Sequence, residues 1–370
     1  MKIAVDARLL ERKMTGIGRL LAGFLDNILK LDKDNEYFLF SQGELKEYQN
    51  KGFNIIATGK NKLTTASFYS PFWLNLVLPA WLSKLKIDIF FSPTGFLPLA
   101  GEKKYKSLII ICDVFQKVDK NFHSFFYRKY TDLFLEPSVK NSNAILTISH
   151  HSKKDILKFY KVPQEKVKVV HLAAEEKFKP RELSPQEKME LRKKYHLPEK
   201  FILYVGVLEE RKNIDGLIKI ADLLKEETEI PILLFGKMGY RGQKYLKEIK
   251  KRENIQYKGF IKNEDLPLLY NLATIFIFPS FYEGFGLPVL EAMQSGLPVV
   301  SSNTSSLPEI VSQSGIMHSP SDYKGFAESI AKLLQDKNFY DKIRRQEIEQ
   351  AKQFNWGKTT AEIIEAFKSL

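Results

Sequence analysis

The sequence predicts an α/β protein built from two doubly wound parallel sheets that face a cleft. Three observations carry the prediction. Short apolar and β-branched runs alternate along the chain with amphipathic helical stretches. Several runs are apolar almost throughout, as strands of a parallel sheet covered on both faces must be. The rhythm breaks at residues 180–199, a polar segment rich in Lys, Glu and Pro, and then restarts, which gives two arrays of similar size. A chain of 370 residues has room for two domains at about 150 residues each.

In the first array the strands are read at residues 2–5, 37–40, 54–57, 87–92, 107–112, 144–148 and 167–171. A helix at residues 18–31 follows the first strand. Another runs over residues 152–160, with Ser149 or Ser152 as its N-cap. The most apolar stretch, residues 68–82, contains Pro71 and Pro79 and is shorter than the ~20 residues a membrane span requires. It reads as a buried helix with a Pro near one end, or as an interfacial segment for which Trp73, Trp81, Lys84 and Lys86 are suited. Residues 184–195 read as a charged surface helix that opens the second domain. Strands then fall at residues 201–206, 232–235, 255–258, 275–278 and 299–301, with helices at 214–225, 243–251, 265–272 and 288–294 between them. Residues 355–370 form one more amphipathic helix. Domains are placed at residues 1–178 and 179–354, with a hinge near residues 173–181.

Composition narrows the functional classes. Hydrophobic residues are 44% and charged residues 27%, which excludes disorder and collagen-like repeats. The net charge of +13 favours polyanionic partners: nucleic acid, an anionic membrane surface or phosphorylated ligands. No basic surface interleaved with aromatics singles out nucleic acid. The one cysteine, Cys112, excludes an intrachain disulfide and a Cys-based zinc site. The opening MKIAVDARLL has no basic segment leading into a long apolar run, so no secretory signal is expected. His123, His150, His151, His171, His196 and His318 show no ligand spacing, and His150 and His151 are expected to cap or flank a helix start. Asp32-Lys33-Asp34 matches a metal-binding DxD but lacks a supporting Gly or His, and reads as a solvated turn. Residues 122–130 mix aromatics and cations, which suits either core packing of a helix or an acceptor- or lipid-facing surface. Lys103, Lys104 and Lys106 form a basic loop of the same half, read as either a solubility feature or a membrane contact.

Ligands of open parallel sheets bind at the carboxyl ends of the strands. After the first strand, Thr15-Gly16-Ile17-Gly18-Arg19 leads into a helix whose N-terminus can receive an anion. It is not GxGxxG, and no acidic residue ends the second strand suitably, so a nicotinamide cofactor is disfavoured. After the strand at 201–206 come Arg211 and Lys212, a bidentate fork and a point charge that suit a diphosphate; the alternative is a solvated pair neutralised by Glu209 and Glu210. The strongest signal follows the strand at 275–278: Glu283-Gly284-Phe285-Gly286-Leu287-Pro288-Val289-Leu290-Glu291. Gly284 and Gly286 free the backbone beside a helix N-terminus, where a phosphate is favoured, and Pro288 suits the helix start. Glu283 in the loop and Glu291, read in the first helical turn, can accept hydrogen bonds from sugar hydroxyls on either side of that phosphate. The alternative is a carboxylate complementing the helix dipole and another solvated in the loop.

At these residues the sequence resembles the retaining GT-B glycosyltransferases of family 4, and within them bacterial mannosyltransferases of surface-polysaccharide assembly. The likeness spans most of the chain: the opening KIAVDARLL with TGIGR, ILTISHHSKKDILKFYKVPQEKVKVVHLA, YVGVLEERKNIDGLI, YKGFI, and FPSFYEGFGLPVLEAMQSGLPVVSSNTSSLPEI. The resemblance implies two Rossmann-like domains, with the C-terminal helix crossing back to the first. It implies transfer of a sugar from a nucleotide-sugar with retention, without a metal or other cofactor. GDP-mannose comes first as donor and UDP-sugars second; the acceptor is a glycan or lipid-linked glycan. Arg211 and Lys212 would hold the diphosphate, Glu283 the donor sugar and Glu291 the ribose. The backbone of Phe285, Gly286 and Leu287 would line sugar and phosphates. The base would lie near Gly259, Phe260 and Ile261, and Gly16 and Gly18 would approach the donor from the other domain. The expected location is cytoplasmic, with peripheral contact at the inner membrane face left open.

Two positions depart from the family pattern. Cys112-Asp113 stands where many relatives have His-Asp, which leaves Asp113, a carboxylate at a strand end, as the catalytic candidate there and Cys112 as a core thiol. Val207 stands where some relatives carry Arg, so the phosphate charge falls on Arg211 and Lys212. A nucleotide-sugar epimerase or phosphorylase of the same fold is the competing class; an epimerase acts without acceptor, and a phosphorylase needs phosphate. Since two cations already address the diphosphate, turnover is expected to survive EDTA. Loss of activity on chelation, restored by Mn²⁺ or Mg²⁺, would return attention to Asp32 and Asp34.

Overall fold

The computed structural model describes residues 1–11, 16–59, 72–99, 103–119, 122 and 124–370. Thr15, residues 68–71 and His123, singled out above, lie outside the described residues. The chain divides into two compact units. Unit 1 comprises Met1–Val114, Phe125–Leu172 and Asn355–Leu370; unit 2 comprises Phe115–Ser124 and Ala173–Phe354. The division comes six residues before the expected end of the first domain. The reason is Phe178, which is fully buried and packs edge-on against Tyr270 of unit 2 at 5.8 Å between ring centroids.

Unit 1 holds a seven-stranded sheet of β1 (Lys2–Asp6), β2 (Glu36–Ser41), β3 (Asn54–Ala57), β4 (Ile89–Ser92), β5 (Lys106–Ile110), β6 (Ala144–Thr147) and β7 (Val167–Val169). The order is β3-β2-β1-β4-β5-β6-β7, and every pairing is parallel. β4 and β6 are buried at every residue, as the unbroken apolar runs required. The core gathers Phe38, Phe40, Trp73, Leu78, Phe90, Ile109 and Ile145, each such burial contributing about 1.5–3 kcal/mol.

The helix Gly16–Leu31 follows β1 and starts two residues earlier than expected. Against it lies the last helix, Trp356–Lys368. The Trp356 ring fills the space over Gly23, where a Cβ would come within 2.3 Å of it. Phe367 meets Phe24 and Phe91 edge-on at 6.3 and 5.4 Å.

In unit 1 the structure decides between alternatives at Trp73 and at Phe125 and Phe126, and overturns one expectation, at Asp32. Trp73 is fully buried under the Arg8 guanidinium, 4.0 Å from its ring centroid, so it faces the core and no interface. Pro79 cannot donate a backbone hydrogen bond, and the turn before it, Trp73–Val77, is π-helical. In the helix Phe125–Asn141, Phe125 and Phe126 are exposed, so core packing does not describe them. Asp32 is buried rather than solvated. It accepts from Tyr37 Oη at 2.5 Å, Asn35 Nδ2 at 2.7 Å and the backbone of Asp34 and Asn35. Burial pushes its pKa up, but these donors win and hold it below the ordinary value. His150 opens the helix His150–Tyr160, capped by Ser149, whose hydroxyl accepts from Ser152 N at 3.0 Å.

Unit 2 repeats the winding with six parallel strands: β8 (Ile202–Val205), β9 (Ile232–Phe235), β10 (Ile255–Gly259), β11 (Ile275–Phe278), β12 (Val299–Ser302) and β13 (Ile316–His318), in the order β10-β9-β8-β11-β12-β13. The helix Pro185–Tyr195 opens it, with Ser184 and Glu187 closing a capping box. β13 and the helices Leu307–Val311, Tyr323–Gln335 and Lys337–Ala351 extend the array beyond the elements read from sequence. Among the described residues, no helix is long and apolar enough to cross a membrane.

Glu347, on the helix Lys337–Ala351, is fully buried, and both its carboxyl oxygens face one backbone donor, Val299 N, at 3.2 and 3.1 Å. Burial pushes its pKa well above the carboxylate range, and the Val299 N–H offsets little of that. A raised folded-state value stabilises fully below the unfolded value and loses that contribution as pH rises through the folded one. Glu347→Gln keeps the acceptor and removes the proton. It should melt above the wild type at pH 8, by an amount equivalent to about 1–3 kcal/mol, with the gap closing at pH 5. Equal pH dependence of the two melting temperatures would contradict this.

Candidate active site

In unit 2 the strand order reverses between β8 and β11: the chain winds outward from β8 to β10, then returns to add β11, β12 and β13 on the other side. Loops leaving the C-terminal ends of two such strands diverge and leave a crevice. The loop after β8 carries Arg211 and Lys212 in the short turn Glu210–Lys212, and the loop after β11 carries Glu283. The structure brings these three side chains together. Lys212 Nζ donates to Glu283 Oε1 at 2.5 Å, and Arg211 Nη1 donates to Glu283 Oε2 at 3.3 Å and to the Tyr282 carbonyl at 2.7 Å. Arg211 Nη2 donates to Glu209 Oε1 at 2.8 Å. Arg211 and Lys212 are therefore no solvated pair: Lys212 is 8% and Glu283 6% exposed.

Burial pushes the Glu283 carboxyl up, but Lys212 and Arg211 more than offset it and hold it below the usual carboxylate range. Burial pulls the Lys212 ammonium down, and Glu283 restores only part of that. The backbone follows the same geometry. Phe281 N donates to the Arg211 carbonyl at 2.9 Å. Asn213, buried and in the left-handed region at φ 56°, caps the next helix by accepting from Gly216 N at 3.0 Å. Its amide donates to the carbonyls of Pro279 and Pro320 at 3.0 and 2.7 Å, which seats Lys212 beside the β11 loop.

After Glu283 the chain passes Gly284 and Phe285 to Gly286, the N-cap of the helix Leu287–Gln294. Gly286 has φ 121°, and a Cβ there would meet Leu307 Cδ2 at 2.6 Å, so only glycine fits. Because the helix begins at Leu287, Glu291 lies in its second turn and not its first. It is 1% exposed, Tyr270 Oη donates to its Oε2 at 3.1 Å, and dipole complementation at the helix end does not describe it.

The remaining candidates are distributed over both units. Gly259 ends β10 with φ 82°, Phe260 is exposed beneath Lys237, whose ammonium lies 5.7 Å from the ring centroid, and Ile261 is buried. Gly16 and Gly18 sit in the first turn of their helix in unit 1, Gly16 exposed and Gly18 buried. Cys112 and Asp113 follow β5. Burial and then the Asp113 charge push the half-buried Cys112 thiol up, so it stays protonated.

Sequence reasoning passed over Asp6 and Arg8 at the C-terminal end of β1, where the order of the first sheet reverses. Asp6 is fully buried and bidentate to Arg8, from Nε at 2.8 Å and from Nη2 at 2.7 Å. The signal was available: a carboxylate and a guanidinium two residues apart at a strand end, VDAR. Asp32 has its oxygens committed to Tyr37, Asn35 and the backbone of Asp34.

Removing one partner of a buried ion pair strands the other. Lys212→Met should therefore destabilise by roughly 3 kcal/mol in urea denaturation followed by circular dichroism. Adding Glu283→Gln to Lys212→Met should restore part of the loss. A double variant no more stable than Lys212→Met would show that the two charges are not coupled.

Comparison with known proteins identifies relatives of the whole chain. The family model described as glycosyl transferases group 1 matches residues 187–354, most of unit 2. The chain is 32% identical to O-antigen chain mannosyltransferase B of Escherichia coli, with all of both chains covered. It is 31% identical to the serotype-specific mannosyltransferase WbdA of Escherichia coli over 68% of this chain and 31% of that one. Among solved structures, the sucrose-phosphate synthase of Thermosynechococcus elongatus superposes with a TM-score of 0.77 at 16% identity, covering 100% of this chain and 98% of that one. WaaG, a glycosyltransferase involved in lipopolysaccharide biosynthesis, superposes with 0.71 at 15% identity over 98% of each chain. With two wound sheets, a buried Lys-Glu-Arg cluster at a strand-order reversal and a relative this similar along its whole length, the chain belongs to the group 1 glycosyltransferases.

Proposed function

We propose that this glycosyltransferase moves mannose from GDP-mannose to a hydroxyl of a glycan or lipid-linked glycan acceptor in cell-surface polysaccharide synthesis. In this reading the anomeric configuration is retained and no metal takes part. The observation that carries the choice of sugar is the 32% identity, over all of both chains, to an O-antigen chain mannosyltransferase.

The site chemistry fits the reading. When the bond from the anomeric carbon to the diphosphate oxygen breaks, positive charge develops on the sugar ring and negative charge on the leaving diphosphate. Lys212, buried at the crevice, and the partly buried Arg211 are suited to stabilise the leaving group. An ammonium has three donors, and one of those on Lys212 goes to Glu283. Glu283, held ionised, reaches the transferred sugar, and Glu291, in the second turn of the helix that follows, takes the ribose. Transfer to the same face follows if the leaving phosphate receives the acceptor proton. Lys103, Lys104, Lys106 and Lys368 line, with Asp88 and Leu370, a concavity of about 660 Å³ in unit 1, at the end of the sheet where the strands begin; this predominantly basic lining supports peripheral contact with an anionic membrane.

Thermal-shift measurements with GDP, UDP, ADP and their sugars test the donor. Stabilisation by GDP and GDP-mannose alone is expected, and a response to UDP-sugars alone would overturn the choice. Turnover without an acceptor alcohol, giving an epimerised nucleotide-sugar, would overturn transfer itself.

The two glutamates should separate kinetically. An interaction made mainly in the transition state alters kcat, and one made equally in the ground state alters KM. Glu283→Gln should lower kcat, and Glu291→Gln should raise the donor KM. Each effect should be about 10- to 150-fold, the scale of roughly 1.5–3 kcal/mol for a hydrogen bond to a charged group. Wild-type kinetics in both variants would make the pair structural.

A further inference from the structure

The loop after β11 leaves the sheet and loses its ladder partners, yet its buried carbonyls still need donors. Asn213 serves the Pro279 carbonyl and Arg211 that of Tyr282; the carbonyls of Ser280, Phe281, Glu283 and Phe285 receive donors from the side chains of one neighbouring segment, residues 302–306 at the end of β12 and after it. Ser302 Oγ donates to the Ser280 carbonyl at 2.5 Å. Thr304 Oγ1 lies 3.2 Å from the carbonyls of Ser280 and Phe281. Ser306 Oγ lies 2.9 Å from the Glu283 carbonyl and 2.6 Å from that of Phe285. Ser305 does most. Its hydroxyl accepts from Glu283 N at 3.0 Å and donates to the Glu283 carbonyl at 2.5 Å, so one oxygen grips both peptide groups of that residue. To do so Ser305 adopts φ 58°, a left-handed conformation unfavourable for any residue with a Cβ. Glycine would relieve that conformation but has no hydroxyl.

We propose that Ser305 is a positioning residue for glycosyl transfer: its hydroxyl fixes the backbone of Glu283 and so sets where that carboxylate meets the donor sugar. Ser306 supports it through the shared carbonyl. The assignment rests on the reading of Glu283 as the group that reaches the sugar. Lys212 and Arg211 fix the carboxylate end of this side chain and Ser305 its backbone end, so the lever between them has one length and one direction. A small displacement at the backbone end moves the carboxylate relative to the reacting carbon, which is where rate is most sensitive to position.

The test uses the full chain with Ser305→Ala and Ser305→Gly. Ala removes the hydroxyl and keeps the unfavourable conformation; Gly removes both. GDP release from GDP-mannose, with water as the hydroxyl that takes the sugar, gives kcat and KM, and calorimetry gives the affinity for GDP. Both variants should lose 10- to 100-fold in kcat, with KM and GDP affinity within threefold of the wild type. If Ser305→Gly keeps kcat within twofold, backbone conformation matters and the hydroxyl does not, and the proposal fails. If GDP affinity falls along with kcat, the residue supports the whole site and is not positioning Glu283.

A second readout does not need a donor. The Glu283 carboxyl carbon, ¹³C-labelled and assigned by its loss in Glu283→Gln, can be titrated by NMR. Lys212 and Arg211 face it, with Tyr204 nearby and Glu209 on the far side of Arg211. Its midpoint should rise in Ser305→Gly as the carboxylate loosens from the two cations. An unchanged midpoint overturns the positioning role. A midpoint raised in Ser305→Gly, with a wild type that turns over no GDP-mannose, supports the positioning role and overturns the donor.

Discussion

A carboxylate and an ammonium buried at the end of a parallel sheet constrain everything around them. Each of Glu283 and Lys212 would be costly to desolvate alone, by several kcal/mol per ion, and the mutual attraction offsets this only when the geometry is good. They come from loops on different strands, some 71 residues apart in the chain. The fold must therefore deliver two loop backbones to within one hydrogen bond of each other. The adjacency of β8 and β11 does the coarse alignment. The Phe281–Arg211 backbone bond, the Asn213 amide on Pro279 and the left-handed turn at Gly286 complete it. The cluster is thus a reason for the local chemistry of its loops, which would otherwise look like a collection of unrelated turns.

Much of this was legible in the sequence because it is local. Short apolar and β-branched runs marked twelve of the thirteen strands described, in most cases to within a residue or two of their ends. The residue types at strand ends marked Arg211, Lys212 and Glu283. What the sequence could not show was that these residues bind one another, since that depends on which strands lie side by side. Asp32 failed for a related reason. Its turn chemistry was plain, but the Tyr37 hydroxyl that buries and engages it lies on the following strand. Glu291 was misplaced by the start of its helix: a beginning at Leu287 moves the carboxylate from the first turn to the second, and from the dipole to the interior. β13 is three residues long, too short for periodicity to register. Glu347 is one of several charged residues on a polar helix, and nothing in its neighbours distinguishes it.

The two units meet the same requirement with the same winding. In each, the order of strands reverses beside the first strand of the unit, and charged side chains gather where it does: Asp6 with Arg8 in one, Lys212 and Arg211 with Glu283 in the other. In both, an anionic oxygen is fully paired before any ligand arrives. Such pairing keeps a charged side chain in a single orientation, so less rotamer freedom remains to be lost when a substrate binds.

The seat of the helix Trp356–Lys368 on the helix Gly16–Leu31 bears on how the chain is made. All seven strands of unit 1 have left the ribosome once residue 169 has emerged, yet the helix that covers Gly23, Phe24 and Phe91 is separated from them by the whole of unit 2. At about 5–20 residues per second, the intervening ~180 residues take roughly 10–40 s to synthesise. Throughout that interval a nascent unit 1 presents an uncovered apolar groove, and unit 2 can fold before unit 1 is complete. The surface around Gly23, Phe24 and Phe91 is therefore covered only when the last residues are made, and the N-terminal half finishes folding last.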